Sequence, residues 1–187
     1  MIRLFLPLLM LGVGPVAVGE EPMPTDALMR TLAEGDLAQA RGDQAALAAA
    51  ADTLKLLGAR PAEGQDDLST LWSQQAQAGG AVHAGPVYRG RALGPAYRRG
   101  SLAAGGRVTL RQLFLAGQRA QISVARATGI AASLSVRVRN ADGGTLCAKP
   151  VAAPQADCAW LPLFTERYAI EIENGGSAPA TFYLVIR

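Results

Sequence analysis

Apolar residues recur along this chain at two spacings, first about 3.6 residues and then two, and the change divides it into halves. Between Thr25 and Arg41, the run TDALMRTLAEGDLAQAR places Leu28 and Leu32 on one helical face, with Gly35 weakening the middle. From Asp43 to Leu57, the residues Leu47, Ala50, Ala51, Leu54 and Leu57 keep helical spacing, with Asp43 available as N-cap and Gly58 as a stop. Gly42 makes the turn between these segments short, so the pair reads as an antiparallel helical hairpin. A third helix is expected from Asp66 to Ala78, ending before Gly79-Gly80. The Arg41-Gly42-Asp43 triplet is also the tripeptide of adhesion motifs, but three residues recur by chance and here they join two helices.

From Arg107 onward the period becomes two, and short runs alternate with turn signals at the spacing of a sandwich of sheets. The predicted strands are Val108 to Leu115, Ala120 to Ala125, Leu134 to Asn140, Thr145 to Lys149, Ala159 to Leu163, Tyr168 to Asn174 and Thr181 to Ile186. Leu134, Val136 and Val138 point one way while Ser135, Arg137 and Arg139 point the other. Tyr168, Ile170 and Ile172 likewise oppose Glu171 and Glu173, so neighbouring strands would set Arg against Glu on an outer face. The fold class is therefore α+β: a small N-terminal helical hairpin or three-helix segment, then a C-terminal antiparallel β-sandwich.

The opening residues MIRLFLPLLMLGVGPVAVGEE carry Arg3, an apolar run from Leu4 to about Val18, and small residues at Ala17 and Gly19. They read as a secretory signal peptide cleaved after Gly19. The run falls short of the roughly 20 residues that span a bilayer, and prolines and glycines interrupt it. The expected organisation is a signal peptide over 1–19 and a helical segment over 20–80. A glycine-rich linker over 81–106 packs on the next domain, with an edge strand near Tyr88 to Leu93, and the β-sandwich covers 107–187. The destination is periplasmic or secreted, with no stable membrane span after cleavage.

Charge separates the same two halves. Residues 20–84 hold ten acids against four bases, and residues 85–187 hold five acids against thirteen bases, twelve of them Arg. The halves can dock on one another or present a basic face to an anionic partner. Arg107, Arg111, Arg119, Arg137 and Arg139 form the candidate ligand face for a protein or an anionic polysaccharide. The arginines are not interleaved with aromatic residues that would stack bases, and export adds to the case against a nucleic-acid partner.

Cys147 and Cys158 are the only cysteines. In an exporting compartment they read as a disulfide rather than as half of a zinc site that lacks histidine. Closing a loop of this size stabilises a chain by roughly 3 kcal/mol. If Thr145 to Lys149 and Ala159 to Leu163 are neighbouring strands, the bridge pins the proline-containing crossover between them. Trp160, Phe164 and Tyr168 then supply apolar bulk beside it as structural aromatics.

The order of several short motifs resembles a known family. These are Gly100-Ser-Leu102, the run LAGQRAQISV from Leu115 to Val124, and Leu134-Ser-Val-Arg-Val with Asp142-Gly143. Trp160-Leu-Pro-Leu-Phe, the run YAIEIEN from Tyr168 to Asn174, and Phe182-Tyr-Leu-Val185 follow. Over roughly residues 97–187 the chain resembles the bacterial pre-peptidase C-terminal domain. The resemblance implies a jelly-roll-like sandwich that serves as a non-catalytic targeting or binding accessory. The chain departs from the usual setting because a helical segment stands where a peptidase would. Some members bind calcium through acidic loops, but the Asn140 to Gly144 turn offers Asn140 and Asp142 against the six to eight oxygens calcium prefers. No metal or cofactor is assigned.

Catalytic signatures are sparse. His83 is the only histidine and lies in the glycine-rich linker, and the chain has no phosphate loop and no HExxH. Paired carboxylates at Asp66 and Asp67, or at Glu171 and Glu173, could serve acid-base chemistry, but read better as a helix cap and an exposed strand face. The function expected is an exported non-catalytic binding or accessory module of the bacterial envelope or secretome. The alternatives are a structural or regulatory subunit whose helical segment engages a protein, and a secreted hydrolase using carboxylates. Oligomeric state is not legible.

Overall fold

The computed structural model describes residues 24–81, 94–127 and 133–187. The expected signal segment, His83 and the edge strand near Tyr88 to Leu93 lie outside the described residues.

Three aspartates start three helices. Asp26 accepts from the Met29 amide at 2.9 Å to open α1 (Ala27–Arg41), and Asp43 accepts from the Ala46 amide at 2.9 Å to open α2 (Gln44–Leu56). Asp67 opens α3 (Leu68–Ala78) through the Ser69 amide at 3.0 Å. Each cap satisfies an amide that has no partner inside its helix and contributes about 1 kcal/mol. Gly42 ends α1 at φ 68°, the left-handed geometry that a side chain resists. Gly35, which looks like a weak point in α1, has a packing role: a Cβ there would lie 2.2 Å from the ring of Trp72 on α3.

The strands are β1 (Arg60–Pro61), β2 (Ala96–Leu102), β3 (Arg107–Phe114), β4 (Ala120–Arg126), β5 (Leu134–Arg139), β6 (Thr145–Pro150), β7 (Ala156–Trp160), β8 (Glu166–Asn174) and β9 (Ala180–Ile186). They form a five-stranded sheet in the order β1-β2-β9-β4-β7 and a four-stranded sheet in the order β3-β8-β5-β6. Every pairing is antiparallel except that of β1 with β2. Ile122, Val124, Phe182 and Leu184 of the first sheet meet Val136, Val138, Ile170 and Ile172 of the second, which makes the sandwich core.

A second core lies on the other side of the five-stranded sheet. Tyr97, Ala125, Tyr183 and Val185 face outward from that sheet and pack against Leu28, Leu32, Leu54 and Trp72 of the helices. The molecule therefore has three layers, helices on sheet on sheet, and the helical and β halves are one packed unit. Strand β9 is buried on both faces, and this is why its sequence runs Phe182-Tyr-Leu-Val185 without a charged residue.

Three sequence expectations change. The stretch read as an irregular linker contains β2, which pairs with β9 from Ala96↔Ile186 to Leu102↔Ala180. Glycines at 100, 105 and 106 disguise it; Gly100 packs under Phe182, where a Cβ would come within 2.4 Å of the ring. The strand expected at Ala159 to Leu163 is β7 instead, shifted toward the N-terminus, because Pro162 cannot donate to a ladder. Strands β6 and β7 are not neighbours in one sheet but edge strands of opposite sheets. The Cys147–Cys158 disulfide, with Cα atoms 5.9 Å apart, ties the sheets together across their open edge.

Candidate functional site

The outer face of the four-stranded sheet carries the charged rows. The register sets Arg107 opposite Glu173, and Thr109, Glu171 and Arg137 in the next row. Arg111, Ala169 and Arg139 follow, and then Leu113 with Arg167. Arg107 Nη2 lies 2.7 Å from Glu173 Oε2. Arg137 and Arg139 converge on Glu171 Oε2 at 3.7 and 3.6 Å. Each side chain is partly solvated, so each such pair contributes well under 1 kcal/mol and is screened by salt.

Of the five candidate arginines, four share this face. Arg119 does not; it stands before β4, at the end of the other sheet, beside Trp160 and Leu161. Arg111 forms no ion pair among the described residues. With Arg167, which sequence reasoning left out, the face presents five arginines against two glutamates. Beside these rows a shallow hollow of about 230 Å³ is lined by Ser135, Arg137, Lys149, Pro150, Glu171 and Glu173.

The aromatic candidates separate as well. Trp160 and Tyr168 join Phe114 in a cluster with ring centroids 4.9 to 5.7 Å apart, closing one end of the sandwich core. Burial pushes the Tyr168 hydroxyl up, and the neighbouring Glu166 carboxylate adds to it. Phe164 is not part of this cluster. It is 73% exposed on the β7–β8 loop, because Pro162 ends β7 before the chain can turn Phe164 inward.

A second recess lies between the helical layer and β2. It has a volume of about 380 Å³ and is lined by Gln65, Asp66, Leu68, Leu71, Tyr97, Arg99, Gly100, Ser101 and Thr181. At its back the exposed Arg99 of the lining reaches a buried polar pair, Tyr183 and Asp36. The Tyr183 hydroxyl donates to Asp36 Oδ1 at 2.8 Å, and Arg99 Nη2 approaches the same oxygen at 3.3 Å while its guanidinium sits over the Tyr183 ring. Burial holds the Asp36 carboxyl above its ordinary range, with Tyr183 and Arg99 pulling the other way. Burial also raises both tyrosine hydroxyls, Tyr97 and Tyr183.

Tyr97 extends the cap of α3. Its hydroxyl accepts from the Leu68 amide at 2.8 Å and donates to Asp67 Oδ1 at 3.3 Å. For Asp67, burial acts upward, but hydrogen bonds from Ser69, Thr70 and Tyr97 outweigh it and hold the carboxyl below its ordinary range. Both members of the Asp66 and Asp67 pair thus have structural surroundings, one at a recess rim and one as a cap. The sequence reading did not single out Asp36 or Arg99, and took Tyr97 only as a sign that the linker packs on the next domain and Tyr183 only as part of the last motif. The available signal was the unbroken apolar run of β9, which marks a strand covered on both faces.

Among the described residues, no three His, Cys, Asp or Glu side chains cluster in a way that could hold a metal ion. No helix among them is long and apolar enough to cross a membrane.

No protein-family model matches the sequence, and a search of the curated proteins gave no significant match. Among solved structures, the chain is similar to the Yersinia pseudotuberculosis-derived mitogen, at 16% identity and TM-score 0.42, over 49% of this chain and 83% of that one. It is similar to the pre-peptidase C-terminal domain of the collagenase from Bacillus anthracis at 14% identity and TM-score 0.40, over 49% and 87%. The periplasmic inhibitor of g-type lysozyme from Aeromonas hydrophila matches at 16% identity and TM-score 0.37, over 55% and 94%. The family that the motif order resembles is therefore represented among the solved structures to which the chain is similar. Likeness this distant carries no argument about activity, and the sandwich rests on the strand order given above.

Proposed function

We propose that the chain is an exported, non-catalytic binding module of the bacterial envelope or secretome. It offers the outer face of the four-stranded sheet to an anionic partner, a polysaccharide or the acidic surface of a protein. The observation that carries this reading is the excess of arginine on that face, five against two glutamates, with Arg111 unpaired among the described residues. Rows of like side chains on adjacent strands stand about 4.8 Å apart. Such spacing suits an extended polyanion lying across the strands, and the free guanidinium groups attract it over a range set by salt.

Supporting a non-catalytic role, the carboxylates first considered for acid-base work have other partners: Asp67 caps α3, and Glu171 and Glu173 hold arginines. The reading of the helical segment as a partner-binding arm has its own hollow, about 310 Å³ between α1 and α2 around Leu37, Ala46 and Ala49. The larger apolar face of those helices is already used against the sheet.

Retention of the exported protein on an immobilised uronic-acid polysaccharide tests the proposal. The wild type is expected to elute only with added salt, and Arg111→Glu with Arg167→Glu to elute with less. Retention indifferent to salt and to both changes would rule the electrostatic face out. Failure on the polysaccharide with salt-sensitive capture of an acidic protein would assign the same face to a protein partner.

A further inference from the structure

The end of the sandwich that carries Phe164 has a property that the charged face does not use. The β7–β8 loop and the β3–β4 loop are held together there, with the Gly117 amide donating to the Pro162 carbonyl at 2.9 Å and the Ala116 amide donating to Thr165 Oγ1 at 3.0 Å. Four large apolar side chains project from this pair of loops: Leu163 is 78% exposed, Phe164 73%, Leu161 60% and Leu115 47%. Soluble surfaces seldom gather so many exposed large apolar residues in adjoining loops without a partner for them.

The tip is built to hold its shape. The aromatic cluster of Phe114, Trp160 and Tyr168 lies at its base, and Cys158, two residues before Trp160, is anchored to the opposite sheet through Cys147. Its flanks are basic: Arg119 leads into β4, Arg167 lies in β8 opposite Leu113, and Arg111 stands one row behind, none ion-paired among the described residues. Acids among the described residues at this end include Glu166, beside Tyr168, Asp142 on the β5–β6 turn, and Asp26, which holds Arg187.

A projecting apolar loop with guanidinium groups behind it fits a flat phospholipid surface, where apolar side chains enter the acyl boundary and arginines meet headgroup phosphates.

From these observations we infer that the Leu161–Phe164 tip, with Leu115, docks this protein on the surface of an anionic phospholipid bilayer. The face proposed above for a polyanion would then stand beside the membrane rather than against it.

Flotation of the exported protein, recovered as its host releases it, tests this with two vesicle sets: phosphatidylcholine alone, and phosphatidylcholine with about 30% phosphatidylglycerol. The protein is expected to float with the mixed vesicles, and Leu163→Ser with Phe164→Ser to reduce the bound fraction by about tenfold. Arg119→Glu with Arg167→Glu should weaken binding to the mixed vesicles by a similar factor, roughly tenfold, and leave the neutral ones unchanged. A Phe164→Trp variant gives a readout local to the tip: its emission should shift to the blue and be quenched by bromine-labelled lipid. Unquenched emission, or a serine variant that floats like the wild type, overturns the proposal. So does capture by a delipidated envelope protein that the serine variant abolishes, since the tip would then be a protein contact. Because Arg167 belongs to both surfaces, Arg111→Glu alone keeps the polysaccharide test separate from this one, and Leu163→Ser with Phe164→Ser is expected to leave retention on the polysaccharide unchanged.

Discussion

The two sheets each have an outer face, and the two faces have opposite fates. On the five-stranded sheet, Tyr97, Ala125, Tyr183 and Val185 lie under three helices. On the four-stranded sheet, Arg107, Arg137, Glu171 and Glu173 alternate with the same period of two and stay open to water. The strands are built alike on their inner sides, where both bury aliphatic side chains. What differs is every second residue, and that difference alone decides whether a sheet acquires a third layer or keeps a surface for a partner. Stability should therefore concentrate on the covered face and binding on the open one.

The covered face should respond most strongly. Trp72→Ala removes the largest side chain between helices and sheet, 2% exposed, and should cost about 3 to 5 kcal/mol in denaturant unfolding. A loss below 1 kcal/mol would mean that the helices contribute little to the common core. Cys147→Ser with Cys158→Ser tests the edge where the sheets are tied, and an expected loss of about 3 kcal/mol should appear equally in thermal melts of the wild type under reducing conditions.

The buried polar contacts between the layers come next, and they set a pH dependence whose sign can be worked out. Asp67 is held below its ordinary value of 3.8, so its contribution is present above that pH and is lost as pH falls through the lower, folded-state value. Asp36 is raised above 3.8, so its ionisation withdraws stability as pH rises from there. Melting temperatures between about pH 3 and 6 should lose their acid-side fall in Asp67→Asn and their opposing slope in Asp36→Asn. Slopes unchanged in both variants would remove these carboxylates from the interface energetics.

On the open face the effects should be small. Glu171→Gln releases Arg137 and Arg139 and should cost about 0.5 kcal/mol or less, yet it should raise retention on a polyanion, because two guanidinium groups are freed. Ser123→Ala sits at the lower limit. The Ser123 hydroxyl is buried with no hydrogen-bond partner among the described residues, so its loss should be neutral or slightly stabilising in the same unfolding assay. A strongly destabilised variant would point to a bound water or partner at that hydroxyl.

Much of the architecture could be read from local pattern. The caps Asp43 and Asp67, the hairpin turn at Gly42 and strands β3, β4, β5, β6, β8 and β9 follow from short-range signals: a side-chain oxygen before an apolar period, a left-handed glycine, strict alternation. Strand β2 escaped because its Gly100 suits close approach to Phe182 and reads locally as a turn. Strand β7 was displaced because Trp160-Leu-Pro-Leu-Phe looks apolar enough to be a strand, while Pro162 ends the ladder and Leu161, Leu163 and Phe164 turn into solvent. The candidate site was half legible. Alternation gave the arginine rows, but only register put Arg167 among them and moved Arg119 to the tip.

By itself the sequence determined the helical and strand segments, the inward and outward sides of most strands, the charge contrast between the halves and the two cysteines available for a staple. These are properties of residues and their near neighbours along the chain. Tertiary structure decided which outer face would be covered, that Asp36 and Tyr183, 147 residues apart, would meet at 2.8 Å, and that the staple would join opposite sheets rather than adjacent strands. Each of these depends on strand order and layer stacking. Those are set by how the whole set of apolar faces can be buried at once, and no short stretch of sequence contains that sum.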